Sequence, residues 1–485
     1  MLVFADNSQE IGDEPTADVS AGRSFLEHQA KVNLTNETDA RMDSDGVTST
    51  ANLLEQVASL PNLAEALLRV ARNKGAPGVD GQDVQEAIEH AHELLPQVQQ
   101  ALLQETFSPG DIRRVWIPKP GGGERGLGIP NVVDRMVQQA VHQVIEPIFE
   151  PLFHDSSHGF RRNRGAQTAI AQASRYFEEG YAYTVDIDLS KFFDRVHHQR
   201  LLGRMAAHVS DGRVLKLIHR MLKAKVVLPD GTRVSTDEGT PQGGPLSPLL
   251  SNVVLNELDW ELERRGLRFV RYADDFSIFV RSERAGHRVM ASVTRFIERK
   301  LRLVVNQEKS SVHGPYDLTF LGFQLGKDAE RNEITIAISE RTGSRMNAKL
   351  RELMPRNWGD SFDRCVSRVN AYLRGWMGYF QLCTDVRSFS RFDAHIRRRL
   401  RAILIRQRKR PRHLLRHLLR RGVPGGMARK AVYQIRGHWK RSASFGVHKA
   451  YPNAWFAKRL VDLQRRWHEL HPPRASKQLL LFGDA

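Results

Sequence analysis

The chain has 485 residues, 41% of them hydrophobic, with a formal charge of +18 and a pI near 10.1. At about 150 residues per domain, one small core is excluded, and no apolar run reaches the roughly 18 residues of a bilayer span. Two cysteines, Cys365 and Cys383, exclude a disulfide framework and a four-thiolate zinc site and read as small core residues.

The basic balance points to a polyanionic partner, nucleic acid being the economical one. It is unevenly spread: residues 1–60 carry 3 Lys and Arg against 11 Asp and Glu, whereas 341–477 carry 34 against 7. The partner surface is therefore expected in the last third. The start MLVFADNSQE lacks the cationic segment and apolar core of a secretion signal, so an intracellular site is expected.

In chain order, residues 1–50 are polar, acidic and poor in aromatics, which predicts a disordered extension. From Ala51, NLLEQVASLPNLAEALLRVARNK spaces leucine and valine as a helix does, with a break at Pro61. GAPGVDG, Gly75 to Gly81, is a glycine-punctuated loop suited to close backbone approach. RRVWIPKPGGGERGLGIP, Arg113 to Pro130, reads as strand, glycine-rich tip and strand, with Lys119 and Arg125 flanking the tip. Such a tip is either simply solvated or folds over a triphosphate, with lysine as point charge and arginine as fork. An amphipathic helix, NVVDRMVQQAVHQVIEPIFEPLF, and a basic turn, SSHGFRRNRGAQTAI, follow.

YAYTVDIDLSKFFDRVHH begins as a strand with Tyr183, Val185, Ile187 and Leu189 on one face and Asp186 and Asp188 on the other. After the turn LPDGT, EGTPQGGPLSPLLSNVVLNELDWEL runs from a Gly/Pro-rich loop into a long helix. FVRYADDFSIFVR is a hairpin with Asp274 and Asp275 at its turn. RLVVNQEKSSV and the strand TFLGFQL come next, and from Arg341 the chain is helical and basic with interleaved aromatics, as in YLRGWMGYF and GHWKRS.

Adjacent carboxylates at a turn suit a solvated loop, or they offer hard oxygen ligands to Mg²⁺. Nucleotidyl transfer by two such ions needs several carboxylates together, and a strand end carrying Asp188, with Asp186 as competitor, can lie beside the Asp274–Asp275 hairpin. DIDLSKFFD, GTPQGGPLSP, YADD, NQEKS and LGF, in this order, resemble reverse transcriptases, and the chain from about Asn52 onward resembles a group II intron-encoded reverse transcriptase/maturase of the bacterial, endonuclease-lacking class.

That resemblance implies an α+β right-hand polymerase: fingers with an N-terminal extension over 51–180, a palm with an antiparallel sheet over 181–335, a helical thumb/maturase domain over 336–422, and a basic DNA-binding region and tail over 423–485. It implies RNA-directed DNA synthesis with two Mg²⁺ ions and dNTPs, group II intron RNA and target DNA as partners, no membrane, and a bacterial cytoplasmic site, at the nucleoid when DNA is bound. By motif position, Asp188 and Asp274 are the metal-binding aspartates and Asp275 a looser third, with a backbone carbonyl of the Ile187–Leu189 stretch nearby. Phe193 lies beneath the incoming sugar, selecting against a 2′-hydroxyl. Gln242 and Gly243 lie near nucleotide and template, Lys119 and Arg125 hold the triphosphate, and Lys309 is a candidate general acid for pyrophosphate.

Nucleic-acid contacts are expected from Arg113, Arg161, Arg162 and Tyr272 in the first two thirds. In the basic third they are expected from Arg374, Trp376, Arg397 and Arg398, then from Lys409, Arg410, Trp439 and Lys440, cations neutralising phosphates and rings stacking bases. Tyr379 and Phe380 are further stacking candidates. QGGPLSP keeps Gln242, unlike diversity-generating retroelement enzymes, and retron markers are not seen. No His-Asn-His endonuclease with cysteine pairs is seen either, so a nick, fork or hairpin is expected to supply the primer. The alternatives are a free-standing host reverse transcriptase, as in phage defence, and a catalytically silent RNA-binding splicing factor.

Overall fold

The computed structural model describes residues 17–36, 52–118, 122–355 and 357–471. The chain divides into two compact units, one of Glu10–Tyr176 with Tyr181–Gly314, the other of Pro315–Ala485 with Phe177–Gly180. Among the described residues, no helix is long and apolar enough to cross a membrane.

The expected disordered extension is corrected in part, since Ala17–Asn36 is a helix. Val19 and Leu26 are buried, and Gly22 sits so close to Ile88 that a Cβ would stand 2.0 Å from its carbonyl oxygen. Positions 19, 22 and 26 form one narrow stripe, enough to dock a helix that is otherwise polar. Residues 1–16 and 37–51 lie outside the described residues.

The break near Pro61 is present: helix Leu53–Ala58 ends at an extended Ser59, and helix Leu60–Arg72 carries Pro61 in its first turn, where a missing N–H costs nothing. Leu63, Leu67 and Val70 are buried, as are Met136, Val137, Ala140 and Val141 of helix Val132–Phe149, and Asn62 Nδ2 donates to the Ala140 carbonyl at 3.1 Å. The glycine loop makes its close approach to Asn131: a Cβ on Gly78 would lie 2.8 Å from the Asn131 nitrogen, and Asn131 Oδ1 accepts from the Val79 amide at 2.9 Å.

Asp134, on the first turn of the same helix, is buried and accepts from the Gly110 amide at 3.1 Å. Burial pushes its carboxyl up from 3.8 to about 6. The folded chain therefore holds this proton more tightly than the unfolded chain, so the group's contribution is most favourable below the unfolded value and declines as pH rises toward about 6. Asp134→Asn is expected to exceed wild type in stability at neutral pH by up to about 3 kcal/mol, two pH units at about 1.4 kcal/mol each. Near pH 4 the two should be equal. Urea midpoints at both pH values check this, and no gap at neutral pH would contradict it.

The predicted hairpin is β1 (Ile112–Pro118) with β2 (Glu124–Ile129), antiparallel with Arg113 opposite Ile129. β3 (Tyr183–Ile187) belongs to a second sheet. β4 (Val226–Val227) and β5 (Arg233–Val234), joined by the predicted turn, extend the first sheet to the order β2-β1-β4-β5. β4 runs parallel to β1, so the sheet of the hairpin takes strands from the interval expected to be palm.

β6 (Arg268–Tyr272), β7 (Asp275–Val280) and β8 (Ser311–His313) complete the antiparallel sheet β6-β7-β3-β8. Val185 and Ile187 are buried, as their expected shared face requires, against a core that includes Leu250 and Val254 of helix Ser247–Arg264.

In the C-terminal unit β9 (Leu318–Phe320), β10 (Phe323–Lys327) and β11 (Ile334–Ile338) form a separate antiparallel sheet. These strands bond to one another and fall in the unit that begins at Pro315, within the interval expected to be palm. The expected division after 422 does not separate compact units: Asp393 of helix Val386–Arg406 accepts from the Leu463 and Gln464 amides, each at 3.0 Å.

Trp376 was expected to stack bases and instead packs against Phe380, Phe389 and Phe392. It is 5% exposed, on the inner face of helix Phe362–Phe380 with Val369, Leu373 and Phe380. Tyr379 stacks on Phe323 and donates its hydroxyl to the Leu321 carbonyl. Cys365 and Cys383 are buried and not joined to each other, the small core residues expected.

Candidate active site

β3 and β7 pair antiparallel with Asp186 opposite Ser277 and Ile187 opposite Phe276. Carrying that register one residue further sets Asp188 across from Asp275, and facing residues of such a pair share one face of the sheet. Asp275 pairs with Tyr272 across the hairpin, leaving Ala273 and Asp274 as a two-residue turn. Ala273 takes φ 59, the left-handed conformation this turn requires at its first position. Gly159, from the basic turn SSHGF, presses on it so closely that a Cβ would stand 2.4 Å from the Ala273 nitrogen.

Burial first, then the charges of Asp274, Asp188 and Asp186, push the Asp275 carboxyl up to about 6. Hard oxygen donors that repel one another are what a divalent cation relieves. Among the described residues no three His, Cys, Asp or Glu side chains converge closely enough to hold an ion as they stand. The fit to a metal thus lies in donor chemistry and mutual repulsion, without a preformed cage.

NQEKS holds the Asp188 backbone from both sides. The Asn306 amide donates to the Asp188 carbonyl at 2.8 Å, and the Asp188 amide donates to Ser310 Oγ at 3.1 Å, which in turn donates to the Asn306 carbonyl at 2.7 Å. Leu189 pairs with Val305 in a bridge beside it. Lys309, in the same turn, is exposed. Asp186, the competitor, is engaged elsewhere: its Oδ2 lies 3.5 Å from His313 Nε2.

Beneath the hairpin lies Arg271, fully buried. Its Nε and Nη2 donate to Asp259 at 2.7 and 2.6 Å, its Nη1 to Asn252 Oδ1 and the Ala273 carbonyl at 2.9 Å each, and its Nη2 also to Ser157 Oγ at 2.7 Å. One guanidinium thus ties the aspartate turn to helix Ser247–Arg264. Sequence reasoning missed Arg271, Asn306, Ser310 and Gly159; a cation inside the apolar run FVRYA was the available signal.

The loop GTPQGG gathers the expected nucleotide-side residues. Thr240 donates its amide to the Phe193 carbonyl at 2.6 Å, Arg125 Nε donates to Gln242 Oε1 at 2.9 Å, and the Gly128 amide donates to the Gln242 carbonyl at 2.7 Å. Phe193 is buried, edge-on to Phe192. Gly243 has φ 134, and a Cβ there would stand 2.2 Å from the Gly128 carbonyl oxygen. Its glycine is demanded by the approach to β2. Gly243→Ala is expected to cost about 1–3 kcal/mol; thermal unfolding checks this, and a wild-type midpoint would contradict it. Lys119 lies outside the described residues.

Of the expected nucleic-acid contacts, Arg161 is corrected. It is buried and spent on Glu150 and on the His154 and Ser157 carbonyls. Tyr272 is also buried, Arg162 pairs with Glu146, and Arg397 pairs with Asp462. Arg113 is half-buried, while Arg374, Lys409, Arg410 and Lys440 are exposed. Arg398 lies 4.0 Å from the centroid of the Trp439 ring.

Residues 117–325 match the reverse transcriptase (RNA-dependent DNA polymerase) family, and 344–422 match the group II intron maturase-specific domain. Protein YkfC of Escherichia coli (strain K12) is 33% identical over 320 residues, covering 58% of this chain and 84% of YkfC. The chain belongs to the group II intron-type reverse transcriptases. Group II intron-encoded protein LtrA of Lactococcus lactis subsp. cremoris is 29% identical over 301 residues, 48% of this chain and 50% of LtrA, so the match spans half of that relative. In this reverse transcriptase the polymerase match contains Asp188, Phe193, Gln242, Asp274, Asp275 and Lys309, and the maturase match contains Trp376, Arg398 and Lys409.

Proposed function

We propose that the chain is an RNA-directed DNA polymerase that also binds its own group II intron RNA as a maturase, assisting splicing and intron mobility by target-primed reverse transcription. The observation that carries this is the β3–β7 pairing that ends at Ile187 opposite Phe276, next to Asp188 on one strand and Asp275 on the other, with Asp274 in the adjoining turn, in a chain of this family. The maturase-specific match over 344–422 favours it over a free-standing host enzyme.

Asp188 and Asp274, with Asp275 more loosely, are the residues to hold Mg²⁺. When bound, two such ions supply activation of the primer 3′-hydroxyl and neutralisation of the leaving pyrophosphate. Arg125, hydrogen-bonded to Gln242, is the residue to meet the triphosphate. Phe193, fixed at its carbonyl by Thr240, is the residue to exclude a ribose 2′-hydroxyl. Lys309 is the candidate proton donor to pyrophosphate, and the exposed cations of the C-terminal unit neutralise intron RNA and target DNA. The place of action we infer is the bacterial cytoplasm, at the nucleoid when DNA is bound.

The maturase half is tested by incubating the chain with precursor RNA flanking its own coding sequence, at a Mg²⁺ level where the RNA alone does not splice. Spliced product is expected; none, with binding intact, would confine the function to DNA synthesis.

A further inference from the structure

In the C-terminal unit, helix Val386–Arg406 turns Arg399, Ala402, Ile403 and Arg406 toward a cavity of about 240 Å³, closed by Met354, Gly437, His438 and Trp439. Those four helix positions form one stripe. Gly437 takes φ 81, making the bend that brings His438 and Trp439 over the helix. Trp439 is held as a fixed wall, with Arg398 against its ring and donating to its carbonyl, and His395 meeting the ring edge at 5.9 Å.

The chemistry of the lining is specific. Met354, Ala402 and Ile403 are apolar, Arg399 and Arg406 are cationic, and among the described residues no lining side chain is acidic. Burial, then Arg441 and Arg406, lower the His438 imidazole from its usual value. His438 Nδ1 is buried without a hydrogen-bond partner among the described residues. An indole wall, apolar side chains and a cationic rim together complement a nucleotide base and its phosphate. The volume falls below the roughly 300–1,000 Å³ of sites for drug-sized ligands, so the occupant is a single ring system.

We propose that this cavity receives one unstacked base of a single-stranded RNA segment, with Arg406 on the flanking phosphate. RNA is the occupant because loops and bulges present bases already out of the stack, whereas duplex DNA must first be opened. The inference rests on the reading that the chain binds intron RNA and adds how one base of it is held.

The test uses the full chain and a short unstructured RNA bearing 4-thiouridine, cross-linked by light and mapped by peptide mass. An adduct within 437–440 is expected, weakened about tenfold by cavity-filling Ala402→Phe, as loss of one base–aromatic stack predicts, and weakened in a salt-dependent way by Arg406→Gln, a surface change that removes one phosphate contact. Adducts mapping elsewhere, with RNA affinity unchanged in the Arg406→Gln chain, would overturn the cavity while leaving RNA binding intact. No RNA binding by wild type would overturn both readings, and equal cross-linking by fully duplex DNA bearing 4-thiothymidine would overturn an unstacked base as the occupant.

Discussion

Arg271→Met is expected to lower the stability of the N-terminal unit by about 3–5 kcal/mol, the cost of breaking a buried ion pair by removing one partner. Asp259 has no exposed surface, so its carboxylate cannot turn to water when the guanidinium goes. Asn252 Oδ1, Ser157 Oγ and the Ala273 carbonyl lose their donor in the same event. A double variant, Arg271→Met with Asp259→Leu, should recover part of that stability, because an apolar pair of similar volume replaces a buried ion pair at little cost. It should not recover DNA synthesis, since Ala273 still lacks the bond that sets the turn beneath Asp274. Urea midpoints and primer extension separate the two effects; a single variant with a wild-type midpoint would contradict the network.

Asp188→Asn is expected to reduce nucleotide incorporation by at least about a thousandfold, near 4 kcal/mol of transition-state stabilisation, while leaving the unfolding midpoint unchanged or slightly raised. What places the carboxylate is the backbone clamp from Asn306 and Ser310. Asp186→Asn is the control on the same strand face. Its partner is His313, so a modest effect on activity is expected. Equal losses in the two variants, by steady-state incorporation, would contradict the assignment to Asp188.

Much of the site was legible because strand periodicity and turn chemistry are local. The alternation around Asp186 and Asp188 predicts which face they share, and adjacent aspartates within an aromatic run predict the hairpin. What supports the aspartates was not legible, because it is long-range: Arg271 meets Ser157 from more than a hundred residues upstream, and Ser310 meets Asp188 across 122 positions. Trp376 was misread although its signal was present. Val369, Leu373, Trp376 and Phe380 recur at helical spacing, and that stripe outweighs the basic composition around it. The helix Ala17–Asn36 was hidden by the opposite imbalance, three buried positions within an acidic, polar stretch.

The central claim is that these aspartates make the chain a metal-dependent reverse transcriptase. Its most direct test is dTTP incorporation on poly(rA)/oligo(dT) with Mg²⁺, comparing wild type with Asp274→Asn. Incorporation by wild type that is lost on chelation and in the variant is the predicted result. A folded wild-type chain that incorporates nothing, or a variant that incorporates as well as wild type, would contradict it.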